Sequence, residues 1–235
     1  MTSSRLVGPG SEHLTFVLAS ANAHKVAEIE AVLRIASPSI VLLARPNEVP
    51  DVVENAGSLV GNARLKAVAL RDFTGVSAIA DDTGLFVDAL DGAPGVEAAY
   101  FGGPNATYAE NRAMMLAELF RVGASGPGER RARFVSVAFL AWADGTEDSW
   151  EGVSEGSIAM VEQGSDGFGY DPIFLPSEGN GLSFSQVGPA AKNEMSHRAR
   201  AFRAMAADLA TRLATKRAYQ PPIGRAPFRP PTHSG

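Results

Sequence analysis

The stretch 76-VSAIADDTGLFVDALDGAPG-95 decides how the rest of the chain is interpreted. Its first five residues, Val76 to Ala80, are small or β-branched and predict a buried strand. Two carboxylates follow directly, and we expect Asp81 and Asp82 where this strand ends. Adjacent buried carboxylates repel each other and lose hydration, whereas a bound divalent cation would offset both costs. The alternative from these residues alone is that Asp81 caps a turn and Asp82 faces solvent.

The composition is that of a globular protein with one substantial core. The chain has 235 residues, of which 45% are hydrophobic, and its net charge is −5. This acidic balance argues against a nucleic-acid partner, although a nucleotide ligand needs only a few local cations. Cysteine is absent, which excludes disulfides, thiolate nucleophiles and cysteine-ligated zinc. No apolar run approaches the ~20 residues of a membrane span, so we expect a cytoplasmic protein without a membrane partner.

Upstream of the opening stretch, strands alternate with helices. Leu14 to Ala19 predicts a strand, and Ser20 to Ala36 contains a helix that Asn22 would cap. Lys25 lies in the first turn of this helix, so its ammonium and the helix N-terminus form a candidate phosphate cradle. The alternative is an ordinary capped helix with Lys25 in solvent.

The alternation continues up to the paired acids. Ile40 to Leu43 predicts a second strand, and Leu59 to Phe73 predicts a helix. From its mid-helix position alone, Lys66 is interpreted as a residue of the solvated face. Strand, helix, strand, helix and strand within 90 residues favour an α/β fold.

Downstream, two longer segments predict an antiparallel hairpin, which would make the sheet mixed. They are Ala132 to Ala143 and Thr146 to Val161, joined by a short turn. Gly152 and Gly156 interrupt the second segment, and we expect bulges or extra twist there.

Two aromatic residues lie in a glycine-rich loop after the hairpin. Phe168 and Tyr170 belong to Gly164 to Pro176, where no regular element is predicted to bury them. Exposed rings of this kind suit stacking on a planar base. The alternative is that both rings fold back into the core below the loop.

The last helix carries two basic residues at an unfavourable end. Ser196 is its predicted N-cap, so His197 and Arg198 lie in the first turn, where the helix dipole disfavours positive charge. An anionic or carbonyl-rich ligand would account for them, and Lys192 approaches from the same side.

Five short segments occur in order along the chain: SANAHK (20–25), NARLKA (62–67), ADDTGLFVDALDGAPG (80–95), GFGYDPIF (167–174) and KNEMSHRARA (192–201). In this combination, from about Thr15 to Leu213, the chain resembles the Ham1/inosine triphosphate pyrophosphatase family. The resemblance implies an α/β fold with a long twisted mixed β-sheet flanked by helices, in two lobes with a central nucleotide cleft. It also implies Mg²⁺-dependent hydrolysis of ITP, dITP and XTP to the monophosphate and pyrophosphate, by a homodimer.

The resemblance assigns roles at the phosphate end of the substrate. Ser20, Asn22 and Lys25 match the family's phosphate-binding loop, and Thr83 matches a neighbouring substrate contact. Lys66 falls on a position that reaches the substrate, which opposes its interpretation as a solvated residue.

The resemblance also assigns the acids and the base pocket. Asp82 matches the catalytic acid, which binds the metal as well, and Glu54 aligns with a second metal-ligating acid. The base pocket is matched by Phe168, Gly169, Tyr170 and Asp171, and the remaining nucleotide contacts by Lys192, His197 and Arg198.

In the expected mechanism, Mg²⁺ held by Asp82 and Glu54 makes the α-phosphorus more electrophilic, and Asp82 orients or deprotonates water. Donors at Lys192, His197 or Arg198 would favour a purine with a 6-carbonyl over one with a 6-amine. Two alternatives remain, namely a Maf-like pyrophosphatase that acts on other nucleotides and a non-catalytic nucleotide-binding module.

The predicted organisation has three parts. Residues 1–12 form a flexible leader, residues 13–217 form a single two-lobed domain, and residues 218–235 form a Pro-rich disordered tail.

Overall fold

A seven-stranded mixed sheet organises residues 13–218, which are the residues that this computed structural model describes. The spatial order of the strands is β2-β1-β3-β5-β6-β7, and β4 pairs with β3 beside that path. The pairs of β1 with β2 and β3 are parallel, and all others are antiparallel. The strands are β1 Leu14–Leu18, β2 Ile40–Leu43, β3 Ala78–Val87, β4 Pro94–Gly95, β5 Arg131–Ala141, β6 Glu147–Ile158 and β7 Phe174–Pro176.

Five α-helices flank the sheet within the same residues. They are α1 Ala23–Ala36, α2 Leu59–Thr74, α3 Tyr108–Arg121, α4 Gly188–Met195 and α5 His197–Ala218. The apolar cluster that contains α1 and α5 residues is distinct from the cluster that contains α2 residues, and β3 contributes to both, so helices cover both faces of the sheet. This arrangement confirms the predicted α/β fold with a mixed sheet. None of the described helices is long and apolar enough to cross a membrane.

The predicted leader over residues 1–12 lies outside the described residues. So does the predicted tail, apart from Ala218, which ends α5. The single-domain organisation of residues 13–217 stays a prediction.

Alternation along β3 separates two apolar clusters by a polar stripe. Ile79 belongs to the cluster under α1 and α5, whereas Leu85 on the same face belongs to a second cluster that includes α3 residues. Asp81 and Thr83 lie between them on this face, and Thr83 Oγ1 is 3.2 Å from Ser136 Oγ of β5. Two hydrophobic clusters therefore meet at a line of hydrophilic side chains.

The sheet is open at the same place. β1 pairs with β3 only as far as Leu18 and Ile79, and β4 begins to pair with β3 at Leu85. Among residues 13–218, the edge of β3 from Ala80 to Gly84 has no strand partner on this side. An unpaired edge in the middle of a sheet exposes both faces of β3 to one cavity.

The two glycines of β6 serve close packing, and the predicted bulges are absent from this strand. The β5–β6 register runs without interruption from Arg131 opposite Ser157 to Ala141 opposite Glu147. A Cβ atom on Gly152 would overlap the backbone of α5 at His197 and Ala201. Contact with a neighbouring backbone, rather than strand irregularity, explains this glycine.

We expect Gly152→Ala to destabilise the protein by about 2 kcal/mol or more, because the helix backbone must move to accept a methyl group. The displaced segment is the first turn of α5, which carries two of the candidate site residues. Thermal unfolding measures the loss. Gly128→Ala is the matched control, because a Cβ there meets no atom within 4 Å. Equal melting temperatures for the two variants would contradict the close contact.

Candidate functional site

A cavity of about 480 Å³ opens along the unpaired edge of β3. It extends from the turn before α1 to the loop after β6, and the N-terminus of α5 forms part of its wall. All the candidate site residues of the sequence analysis line it: Ser20, Asn22, Lys25, Glu54, Lys66, Asp82, Thr83, Phe168, Gly169, Tyr170, Asp171, Lys192, His197 and Arg198. Chain segments that are far apart in sequence therefore bring these residues together as one group.

The paired acids lie within β3, not at its end as predicted. β3 continues to Val87 because its whole length pairs with β5, including Asp81 opposite Ala138 and Asp82 opposite Val137. Both are buried, with 2% and 7% of their surface exposed, so the alternative of a turn cap and a solvent-facing residue is wrong. As neighbours in a strand they point to opposite faces of the sheet. The free-energy cost of burying them therefore does not come from repulsion between the two carboxylates.

Asp81 is an anchor for cations on the α1 and α5 side. Its Oδ2 atom lies 3.1 Å from Lys25 Nζ and 3.2 Å from Arg198 Nε. Burial alone would raise the pKa of this carboxyl, but the charges of Lys25 and Arg198 outweigh burial and hold the pKa well below its usual range. Asp81 is therefore ionised whenever the protein is folded near neutral pH.

Asp82 faces α2 and has the opposite electrostatic character. Its Oδ1 lies 2.9 Å from Lys66 Nζ, and Asn62 Nδ2 donates to its Oδ2 at 3.3 Å. Burial raises the pKa of Asp82 to about 6 in spite of Lys66. Lys66 also lies 2.8 Å from Glu54 Oε2, and its side chain is only 14% exposed. The interpretation of Lys66 as a solvated residue is therefore wrong, because its partners come from other segments.

The carboxylates of Asp82 and Glu54 fit a divalent cation. Both approach one point, which Lys66 Nζ occupies in this structure at 2.9 and 2.8 Å. Oxygen ligands of this kind suit Mg²⁺, which is commonly held by one or two carboxylates together with substrate phosphates. Residues 13–218 contain no group of three or more His, Cys, Asp or Glu side chains that could hold a metal by itself. A Mg²⁺ ion held by these two carboxylates would complete its coordination with water or substrate phosphate oxygens.

The turn before α1 is organised by Asn22. Its Oδ1 accepts the backbone N–H groups of His24 at 3.0 Å and Lys25 at 3.4 Å, as predicted for an N-cap. Its backbone N–H donates to Ser20 Oγ at 3.3 Å. Two of the free N–H groups of the helix are thus already used, and Lys25 Nζ supplies the positive charge on this side of the cavity.

Glu28 is a polar residue of the site that the sequence analysis missed. Its carboxylate accepts from Lys192 Nζ at 2.6 Å and forms an ion pair with Arg198. Burial would raise its pKa, but the two cations lower it. The available signal was the spacing of three residues from Lys25, which places both on one face of α1. The anion that Arg198 requires at the helix N-terminus is thus supplied by the protein itself.

His197 is buried and has unused hydrogen-bonding capacity. Its ring stacks on Phe134 at 4.5 Å between centroids. Among the described residues, its Nδ1 atom has no hydrogen-bond partner. Burial, with Arg198 and Lys192 nearby, lowers its pKa well below the usual value, so the imidazole is neutral at pH 7. Ser196 Oγ accepts the Ala199 N–H, which confirms the predicted cap of this helix.

The two aromatic residues of the glycine-rich loop have different environments. Tyr170 is buried in the second apolar cluster, and its hydroxyl donates to Ala98 O at 2.8 Å, so it follows the core interpretation. Phe168 is half-buried at the cavity, with its ring 4.8 Å from Lys192 Nζ. Asp171 Oδ2 accepts from Lys192 Nζ at 2.6 Å and from the Phe168 N–H at 2.8 Å. Of these two loop aromatics, Phe168 is the one placed to present its ring to a ligand.

Comparisons with known proteins agree with this geometry. A profile described as the Ham1 family matches residues 16–208. A dITP/XTP pyrophosphatase of Opitutus terrae is 45% identical over 199 residues, covering 80% of this chain and 95% of that protein. One of Rhodospirillum centenum is 41% identical over 193 residues, covering 82% and 93%. The structure of a HAM1 protein from Coxiella burnetii superposes with a TM-score of 0.75 at 36% identity, covering 84% and 99%. This chain belongs to the Ham1 family.

Proposed function

We propose that this protein hydrolyses nucleoside triphosphates with deaminated purine bases, such as dITP, XTP and ITP, to the monophosphate and pyrophosphate. The observation that carries the proposal is the composition of the cavity at the edge of β3. Lys25 and Lys66 line one part of it with their carboxylate partners, and the half-buried ring of Phe168 and the neutral buried imidazole of His197 line another. Relatives named dITP/XTP pyrophosphatase, 41% and 45% identical, support the same activity.

At the phosphate end, Lys25 and Lys66 would hold the triphosphate. Each ammonium is now paired with a carboxylate, at 3.1 Å for Lys25 with Asp81 and 2.9 Å for Lys66 with Asp82. Phosphate oxygens can share these cations without stripping a free charge of its water, which keeps the cost of binding low. The Ser20 to Asn22 turn would place the triphosphate against the N-terminus of α1.

Asp82 is the proposed general base. Its pKa of about 6 makes it ionised at pH 7 to 8 but still basic enough to accept a proton from water. The water oxygen would bond to the α-phosphorus, the bond from that phosphorus to the bridging oxygen would break, and pyrophosphate would leave. Asp82 and Glu54 would hold the Mg²⁺ ion, which supplies charge neutralisation on the phosphates when bound.

At the base end, Phe168 would stack on the purine, and His197 would distinguish purines by the group at their 6-position. Within residues 13–218, the buried Nδ1 atom of His197 has no hydrogen-bond partner, whereas Lys192 and Arg198 are engaged with carboxylates. With its proton on Nδ1, the neutral imidazole would donate to a purine 6-carbonyl, whereas the 6-amine of adenine would leave this donor unpaired. Lys192 and Arg198 would act beside it, together with Thr83.

The test is to incubate the protein with ITP, dITP, XTP, dTTP and ATP plus Mg²⁺ and to separate the products by ion-exchange chromatography. We expect monophosphate and pyrophosphate from the first three, with kcat/KM for ATP lower by about 10²-fold or more. Orthophosphate as the primary product would contradict the proposal. Preference for dTTP would favour the Maf-like alternative, and binding without turnover would favour a non-catalytic module. Light scattering tests the homodimer, which is part of the proposal.

A further inference from the structure

Tyr108 connects the two ends of the cavity. It is the first residue of α3, and its placement is fixed by the preceding cap, in which Thr107 and Glu110 bond reciprocally. Tyr108 Oη accepts from Asn22 Nδ2 at 3.0 Å, across the cavity from α3 to the turn before α1. Its ring lies 6.2 Å from that of Phe168 at an angle of 51°. Tyr108 thus contacts both Asn22, in the turn before α1, and the ring of Phe168.

The rest of α3 holds the partner loop in place. Arg112, one turn after Tyr108, donates from Nη1 to Gly169 O at 3.0 Å and from Nε to Glu162 Oε1 at 2.8 Å. Phe168 is therefore fixed next to Tyr108 from the same helix. A ligand that contacts both Asn22 and Phe168 could therefore lie against the tyrosine.

The hydroxyl of Tyr108 has a proton to donate. A phenol is both a donor and an acceptor, and its acceptor function is used by Asn22. Tyr108 lines the cavity, and 43% of its surface is exposed. The rotatable O–H group can therefore turn toward a ligand oxygen in this cavity.

We propose that Tyr108 is a substrate-binding residue, whose hydroxyl donates to an oxygen of the triphosphate or the pentose while its ring covers the nucleotide beside Phe168. The inference rests on the proposed function, because it requires a ligand that joins the two ends of the cavity. A nucleoside triphosphate has its pentose and α-phosphate at this midpoint. Tyr108 therefore contributes to binding of the ground state and the transition state alike.

The experiment compares Tyr108→Phe and Tyr108→Ala with the wild-type protein, using ITP and Mg²⁺. Loss of one neutral hydrogen bond should raise KM about 3- to 10-fold in Tyr108→Phe, with kcat within twofold. Tyr108→Ala should raise KM further, because the ring is lost as well. Melting temperatures should stay within about 2 °C for Tyr108→Phe, since the residue is 43% exposed and keeps its ring.

Two binding arms identify the oxygen that Tyr108 contacts. Inosine has the pentose without phosphate, and inorganic tripolyphosphate has phosphates without the pentose. Weaker binding of either one to Tyr108→Phe supports the proposal and names the contact. Unchanged KM and unchanged binding of both overturn it. If the wild-type protein releases no pyrophosphate from ITP, the proposed function itself fails, which is a distinct result.

Discussion

Asp82→Asn should abolish turnover while leaving the fold and nucleotide binding intact. Asparagine keeps the shape of the side chain and can still accept a hydrogen bond from Lys66 but cannot take a proton from water. General bases contribute about 10² to 10⁴ in rate, so we expect kcat for ITP to fall by about 10³-fold. The dissociation constant of ITP, measured by calorimetry, should change only a few-fold. Normal turnover in this variant would place the base elsewhere.

The same substitution should not destabilise the protein at neutral pH. The folded pKa of Asp82, about 6, lies above the ordinary 3.8, so its stabilising contribution exists while it is protonated and is lost as pH rises through 6. Asparagine cannot ionise and escapes that loss, and Lys66 keeps Glu54 as a partner. We expect the variant to melt at or above the wild-type temperature at pH 8, with its advantage shrinking toward pH 4. Asp88→Asn, on the exposed turn after β3, is the control for loss of one charge.

The alternating elements and the chemistry of single residues could be predicted from local sequence. The strand at Leu14, the cap at Asn22 and the cap at Ser196 follow from short patterns, and the structure has each of them. These features depend on neighbours within four residues. Local information was therefore sufficient for them.

What could not be predicted depends on partners distant in sequence. The continuation of β3 through the acids depends on β5, which begins about 50 residues later, because pairing over the whole length outweighs a polar interruption. Lys66 is buried because Asp82 and Glu54 surround it, and no helical pattern shows them. Gly152 suggested an irregular strand, but α5 packs on it. In each case a contact with a distant segment determines the structure, whereas the prediction considered only neighbouring residues.

The different environments of the two aromatic residues in the glycine-rich loop could not be predicted from local sequence. Phe168 and Tyr170 are two residues apart in one glycine-rich segment, and the sequence pattern predicts the same environment for both. The structure buries Tyr170 against Ala98 O and leaves Phe168 at the cavity. Gly167, with a φ of 81°, brings the loop so close to Asp171 that a Cβ would overlap its carboxylate. The turn geometry separates the two rings, and composition does not encode it.

Asp81→Asn should have the opposite effect of Asp82→Asn and lower stability strongly. Lys25 and Arg198 both depend on the Asp81 carboxylate, and Arg198 is buried. Breaking a buried ion pair by removing one partner costs about 3 to 5 kcal/mol. For a domain of this size that corresponds to a loss of roughly 6 to 20 °C in melting temperature. KM for ITP should also rise, because Lys25 loses its anchor.

The pH dependence separates this effect from ordinary damage to the core. The folded pKa of Asp81 is held below the ordinary 3.8, so its contribution is present above about pH 4 and is lost as pH falls through the folded value. The gap between wild type and Asp81→Asn should therefore be full at pH 7 and 5 and narrow below pH 4, measured by urea unfolding. A gap that is independent of pH would show packing damage instead. Two neighbouring residues on opposite faces of one strand should thus give stability shifts of opposite sign, which like-charge repulsion between them could not produce.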